Sequence, residues 1–139
     1  MTHPITGASP EIFWLAATAL ATALMWVPHI LWLVGHKGLF GALMDGEHDI
    51  DYTAPWAARA HRAHLNAIEN LAVFAAAVLA VELAGANSAA TATAAGAFFF
   101  VRVAHFAVYC AGLPLVRTVL FFVGVACQVA LALAAISAA

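Results

Sequence analysis

The residues best suited to chemistry lie in three short groups, each with members three or four positions apart. The first group holds arginines, an amide and a carboxylate, and comprises Arg59, Arg62, Asn66 and Glu69. The other two groups are Arg102, His105 and Tyr109, and the adjacent pair Arg117 and Thr118. Steps of three and four residues place side chains on one face of a helix. Guanidinium groups bind carboxylates through charge-assisted hydrogen bonds, so these groups predict a site for an anionic ligand.

The elements that must position these residues are predicted to lie in a membrane. The chain has 139 residues, of which 65% are hydrophobic and 9% are charged, against about 45–50% and about 25% in soluble domains. One soluble core of this length cannot bury so much apolar surface. This excludes a soluble globular enzyme, a disordered chain and a disulfide scaffold. The net charge of −2, without a basic stripe, argues against a nucleic-acid partner.

Four apolar segments reach the length of about 20 residues that a membrane-spanning helix needs. They cover residues 11–35, 55–84, 89–111 and 115–137, joined by a polar loop over 36–54 and by turns at 85–88 and 112–114. The segments lack the alternation of a β-barrel. The sequence therefore predicts an all-α fold, a single domain over 1–139 built as a bundle of four transmembrane helices. Pro28 is expected to bend the first of them.

The distribution of basic residues predicts an orientation. Lys37, Arg59 and Arg62 lie on or beside the first loop and Arg117 follows the third, whereas the second loop and both termini carry no Lys or Arg. The positive-inside rule then places both termini outside the cytoplasm. The alanine-rich composition and short loops suggest a bacterial inner membrane.

Other potential chemistry has weaker support. His61 and His64 are three residues apart, but no third ligand stands at a recognisable spacing, so no metal site is expected. Cys110 and Cys127 fall inside predicted helices and are interpreted as small buried hydrophobic residues. A run of acidic residues in the first loop does not match a calcium-binding pattern and is interpreted as solvated; it comprises Asp45, Glu47, Asp49 and Asp51.

Helix rise predicts which polar residues share a depth. Counted from the turn at 85–88, Glu69 and Arg102 lie about 22 and about 20 Å away. Because a lone charge at that depth is costly, we expect them to form an ion pair. Two further pairs fall at similar heights, namely Asn66 with His105 and Arg62 with Tyr109. The expected result is a cavity near the cytoplasmic face, closed by the ion pair, with Arg59, Arg62 and Arg117 at its mouth.

A purely structural alternative exists for these residues. Glu69, Arg102 and Asn66 are suited first to holding helices together through interhelical hydrogen bonds, even if a ligand also touches them. Arg62 and Arg117 are also typical of residues that extend to the membrane interface. The functional interpretation depends on the whole constellation rather than on any one member.

Two stretches of sequence resemble the family of membrane-associated proteins in eicosanoid and glutathione metabolism (MAPEG). Residues 62–70, Arg-Ala-His-Leu-Asn-Ala-Ile-Glu-Asn, resemble its signature on the second helix. Residues 102–105, Arg-Val-Ala-His, followed by Tyr109, Pro114 and Arg117-Thr118, resemble its second block. The resemblance covers about residues 55–125. It implies four-helix subunits assembled as a homotrimer, with glutathione bound between neighbouring subunits near the cytoplasmic side.

The resemblance also implies residue roles. Residues matching positions that line the glutathione site are Arg62, Asn66, Glu69, Arg102, His105 and Tyr109. Arg59 is a further predicted partner, because its guanidinium would suit a carboxylate of glutathione. Arg117 matches the arginine credited with stabilising the glutathione thiolate, and Thr118 matches a position where some members have a serine. His61 and Phe121 depart from the family, since some members have arginine and tyrosine there.

The predicted function is that of a membrane-embedded glutathione transferase or glutathione-dependent peroxidase. Glutathione would serve as co-substrate, and a lipophilic electrophile or lipid hydroperoxide would arrive from the bilayer. Arg117 and Thr118 are the predicted catalytic residues. The alternative is a non-catalytic MAPEG-like membrane subunit whose polar network serves packing or lipid binding.

Overall fold

The computed structural model describes residues 7–44 and 52–139, and every regular element in these ranges is a helix. The helices are α1 (Pro10–Leu24), α2 (Val27–Leu43), α3 (Pro55–Ala84), α4 (Ala89–Ala111) and α5 (Pro114–Ala138). Within the described residues, four stretches are long and apolar enough to cross a membrane, because α1 and α2 together form one of them. The predicted fold class, an all-α integral membrane protein with four spans, is therefore confirmed. The acidic run over 45–51 lies outside the described residues.

The first span is broken and longer than expected. Helix α1 ends at Leu24 and α2 begins at Val27, with Pro28 in its first turn. Proline lacks a backbone N–H and its ring clashes with the carbonyl four residues earlier, so the helix is interrupted where the sequence predicts a bend. The expected helix end at residue 35 is wrong, because α2 runs on to Leu43 after a kink at Gly38, where φ is 74°. Apolar residues from Leu39 onward continue the helix where a polar loop was predicted.

Two tight turns make α3, α4 and α5 antiparallel neighbours. Gly85 and Gly112 end α3 and α4 in the left-handed conformation, with φ of 64° and 76°, which glycine adopts without steric cost. Ser88 caps α4: its hydroxyl accepts from the Thr91 N–H at 3.1 Å, and its own N–H donates to the Thr91 hydroxyl at 2.7 Å. Pro114 then begins α5, where its missing N–H has no helical partner to lose.

Polar side chains tie the first helix to this end of the bundle. The Ser9 hydroxyl donates to the Glu82 carboxylate, and the Asn87 amide donates to the same oxygen at 2.8 Å. The Thr91 hydroxyl donates to Glu11 at 2.5 Å, and Glu11 is only 1% exposed. These bonds join α1 to α3 and α4, at the end of the bundle opposite to the predicted site.

The core lies between α3, α4 and α5. Phe74 and Phe98 stack with ring centroids 4.0 Å apart and planes at 15°, and both are fully buried. Leu131 of α5 packs in the same cluster. In lipid, such close packing rather than exclusion of water holds helices together. Cys110 and Cys127 are free thiols, each partly buried.

Candidate functional site

A cavity of about 300 Å³ opens between α3, α4 and α5. It is lined by Asn66, His105, Tyr109, Arg117, Thr118, Phe121 and Phe122. The structure thus brings together members of all three groups singled out in the sequence. The volume lies at the lower end of the range typical of small-molecule sites, about 300–1,000 Å³.

The turn between α4 and α5 sets the geometry of the cationic wall. It places Arg117, in the first turn of α5, beside Tyr109, in the last turn of α4. The Arg117 guanidinium carbon lies 4.3 Å from the centre of the Tyr109 ring, a cation–π contact that orients the side chain. Tyr109 in turn meets the His105 ring edge-on at 5.7 Å. The Thr118 hydroxyl donates to the Pro114 carbonyl at 2.9 Å, so its oxygen can still accept.

Arg102 is buried, and its partner is Asn66 rather than Glu69. Its Nη2 donates to the Asn66 side-chain oxygen at 2.8 Å and to the Asn66 carbonyl at 3.2 Å. Its Nε and Nη1 are buried without a hydrogen-bond partner among the described residues. Glu69 is exposed on α3, so the predicted Glu69–Arg102 ion pair is wrong for the single chain. Helix rise estimates depth along the helix axis and does not fix which way a side chain faces.

The other predicted arginines lie outside the cavity lining. Arg59 donates from Nε to the Cys110 carbonyl at 2.9 Å and packs against Gly112. A cation at that position satisfies a free carbonyl at the end of α4 and favours the helix dipole. Arg62 is exposed on α3. Arg59, Arg62 and Glu69 are not part of the cavity lining, and contacts of glutathione with any of the predicted residues stay predictions.

The apolar wall of the cavity was not predicted as part of the site. Phe121 was singled out only as a departure from the family, and Phe122 was not singled out. Phe122 is 64% exposed and Phe121 lies 6.5 Å from the His105 ring, centre to centre. Phenylalanines within an apolar helix carry no distinctive sequence signal. Their spacing of three and four from Thr118 is the one feature that points to the cavity.

These features define an integral membrane helical bundle in which a small cavity combines a guanidinium, an imidazole and an amide with an apolar wall. The MAPEG family model matches residues 12–137, nearly the whole chain, and the protein belongs to the MAPEG family. This family includes glutathione transferases and peroxidases as well as non-catalytic members. No curated protein and no solved structure shows significant similarity to the chain.

Proposed function

We propose that the protein is a membrane-embedded glutathione transferase or glutathione-dependent peroxidase. The observation that carries the proposal is the Arg117 guanidinium, fixed over Tyr109 at the wall of the cavity. A thiol with a pKa near 8.5 is mostly protonated at neutral pH, and a nearby guanidinium favours the reactive thiolate. We assign Arg117 the role of holding the glutathione thiolate, with the Thr118 hydroxyl beside it.

The second substrate would reach this thiolate from the lipid. Phe121 and Phe122 provide an apolar wall next to the polar residues, which suits a lipophilic electrophile. In a conjugation, the sulfur forms a bond to the electrophilic carbon, and the displaced electron pair departs with the leaving group. With a lipid hydroperoxide, the thiolate attacks the terminal oxygen and the O–O bond breaks, so that the terminal OH stays on sulfur as a sulfenic acid. The alkoxide that leaves takes a proton from water and becomes the alcohol. A second glutathione then reduces the sulfenic acid to give glutathione disulfide and water.

Asn66, His105 and Tyr109 would bind the polar body of glutathione. Arg102 would act through Asn66, whose side-chain oxygen it holds at 2.8 Å. Arg59 Nε is already bonded to the Cys110 carbonyl, so a glutathione carboxylate would have to bind the two Nη groups of Arg59. Because Arg59 does not line the cavity, we place it below the residues that do.

The exposed face of α3 supports an assembly of several copies. Arg62 and Glu69 are exposed on a membrane-spanning helix, and lipid is a poor solvent for both charges. A neighbouring subunit would cover both side chains. It would also place them near the cavity of that subunit or near a cavity that the two subunits share. Since members of this family form trimers, we propose a homotrimer with glutathione bound at the subunit boundary.

The location of the basic residues supports an orientation. Arg59 and Arg62 lie near the start of α3 and Arg117 near the start of α5, which is the same end of the bundle. We propose that this end faces the cytoplasm of a bacterial inner membrane, with both termini on the opposite side.

Glutathione titration of the detergent-purified protein tests this function. We expect near-ultraviolet absorbance from a bound thiolate, lost in Arg117→Ala while size-exclusion chromatography shows the oligomer unchanged. Thr118→Val should weaken the signal less, because the guanidinium remains. Lys37→Gln, which removes an exposed cation of α2 outside the cavity lining, is the matched control and should keep the signal. No glutathione binding at millimolar concentration would favour the non-catalytic alternative.

A further inference from the structure

The turn between α4 and α5 connects the two side chains that form the cationic wall of the cavity. Tyr109 lies before the turn and Arg117 after it, and the Arg117 guanidinium carbon is 4.3 Å from the centre of the Tyr109 ring. Residues 110–116 alone link the two along the chain. The conformation of this short link therefore decides whether the guanidinium lies over the ring, and any group that fixes the turn also positions Arg117.

Backbone hydrogen bonds hold only part of this turn. The Gly112 N–H donates to the Tyr109 carbonyl at 3.0 Å, as is common where a glycine ends a helix. The next carbonyl, that of Cys110, lies in the last turn of α4, where carbonyls have no partner within the helix. It accepts instead from Arg59 Nε at 2.9 Å. A side chain of α3 therefore holds a part of the turn that the backbone leaves free.

Arg59 also packs closely against the backbone of the turn. A Cβ added to Gly112, where φ is 76°, would lie 3.1 Å from both Cζ and Nε of Arg59. Arg59 stands seven positions before Asn66, and two helical turns of about 3.6 residues each place both on one face of α3. Helix α3 thus contacts the cavity through Asn66 and the adjoining turn through Arg59.

We propose that Arg59 is a positioning residue that holds Arg117 over Tyr109. It acts through the turn, which it contacts at Cys110 and Gly112. The consequence for chemistry rests on the function proposed above, in which Arg117 stabilises the glutathione thiolate. Without Arg59, the Cys110 carbonyl loses its donor and space opens beside Gly112, so the turn can change conformation. Arg117 is then no longer held at one distance from the sulfur, and more of the thiol stays protonated.

The charge of Arg59 is a second route by which this residue would favour a thiolate. A cation stabilises an anionic sulfur directly, whatever the conformation of the turn. Arg59→Lys separates the two routes, because lysine keeps the charge but lacks the planar fork that both bonds Cys110 and packs flat against Gly112. A positioning role therefore predicts that lysine fails to replace arginine, whereas an effect of charge alone predicts that it succeeds.

Fluorine NMR of the full-length protein labelled with 3-fluorotyrosine tests the placement of Arg117 without glutathione. The chain has two tyrosines, Tyr52 and Tyr109, so two resonances are expected and Tyr52→Phe assigns them. Arg117→Ala gives the resonance of the Tyr109 ring without its guanidinium. Arg59→Met and the milder Arg59→Lys should both move the Tyr109 resonance toward that value. Lys37→Met, which removes an exposed cation of α2, is the control and should leave it in place; an unmoved resonance in both Arg59 variants would overturn the proposal.

The pH dependence of the bound thiolate tests the consequence for chemistry. Near-ultraviolet absorbance at saturating glutathione, followed against pH, gives the midpoint of thiol ionisation. We expect Arg59→Met and Arg59→Lys to raise this midpoint by about one pH unit, which is about a tenfold lower ratio of thiolate to thiol at a fixed pH.

Two results would contradict the positioning role in this titration. A lower Tm with an unchanged midpoint would show that Arg59 only stabilises the fold, and a wild-type midpoint in Arg59→Lys would show that only its charge matters. A wild-type protein that binds no glutathione would instead contradict the proposed function. The Tyr109 resonance, which is measured without glutathione, would still decide whether Arg59 holds Arg117 in place.

Discussion

The hydrogen bond between Asn66 and Arg102 gives the most direct test of the site's construction. Replacing Asn66 with alanine removes the side-chain oxygen that accepts from Arg102 Nη2 at 2.8 Å. The backbone carbonyl of residue 66, at 3.2 Å from the same nitrogen, remains. Arg102 already has two buried nitrogens without partners in the described residues, so little else can replace the lost bond.

Two known ranges of hydrogen-bond energy give the expected coupling energy between Asn66 and Arg102. A hydrogen bond to a charged group contributes about 1.5–3 kcal/mol in soluble proteins. Interhelical hydrogen bonds in membranes average about 0.6 kcal/mol in double-mutant cycles, with a maximum of about 1.7 kcal/mol. Because this bond is charged and its donor is 3% exposed, we expect a coupling energy near the upper membrane value, about 1.5 kcal/mol.

A double-mutant cycle in mixed micelles measures this coupling. Reversible unfolding would be followed for the wild type, Asn66→Ala, Arg102→Met and the double variant. The parallel cycle with Glu69→Gln is the control, and its coupling to Arg102 should be close to zero. A coupling of Arg102 to Glu69 larger than that to Asn66 would refute the geometry described here and restore the ion pair expected from helix rise.

Two further predictions concern the packing that supports the site. Gly96→Ala should destabilise the protein by about 1–3 kcal/mol in thermal unfolding, because the added Cβ would lie 3.0 Å from Trp14 ring atoms. Gly35→Ala should cost much less, because an added Cβ there meets no atom of the described residues within 4 Å. Phe74→Ala should cost about 3–5 kcal/mol, since its side chain is fully buried against another ring. Phe40→Ala, at a side chain that is 82% exposed, is its control, and equal losses would contradict the assignment of the core.

Apolar length and turn residues were sufficient to predict most of the helices. Helices α3 and α4 have the bounds expected from the sequence, because Pro55 and Ser88 mark their beginnings and Gly85 and Gly112 mark their ends. Asn66 and His105, expected at similar heights, both line the cavity.

Contacts that depend on the chain's long-range course could not be predicted. The carbonyl of Cys110 becomes available to Arg59 only because α4 ends beside α3, and no side-chain pattern reports a free carbonyl. The approach of His29 to the α3 histidines depends on the break at Pro28 and on the packing of α2 against α3. Sequence periodicity describes each helix separately and does not predict which residues of different helices will be in contact.

The orientation of α3 about its own axis explains why the polar residues along one side of this helix, from Arg59 to Glu69, have two roles. At about 100° per residue, Arg62 and Glu69 lie about 40° and about 60° to one side of Asn66, whereas the buried Phe74 lies about 80° to the other side. The boundary between the buried and the exposed face of α3 therefore lies close to Asn66. This position lets Asn66 reach both Arg102 and the cavity, while the two charged residues face outward. One chain thus buries only the inner half of the polar surface of α3, and the proposed homotrimer would cover the outer half, where lipid is a poor solvent for both charges.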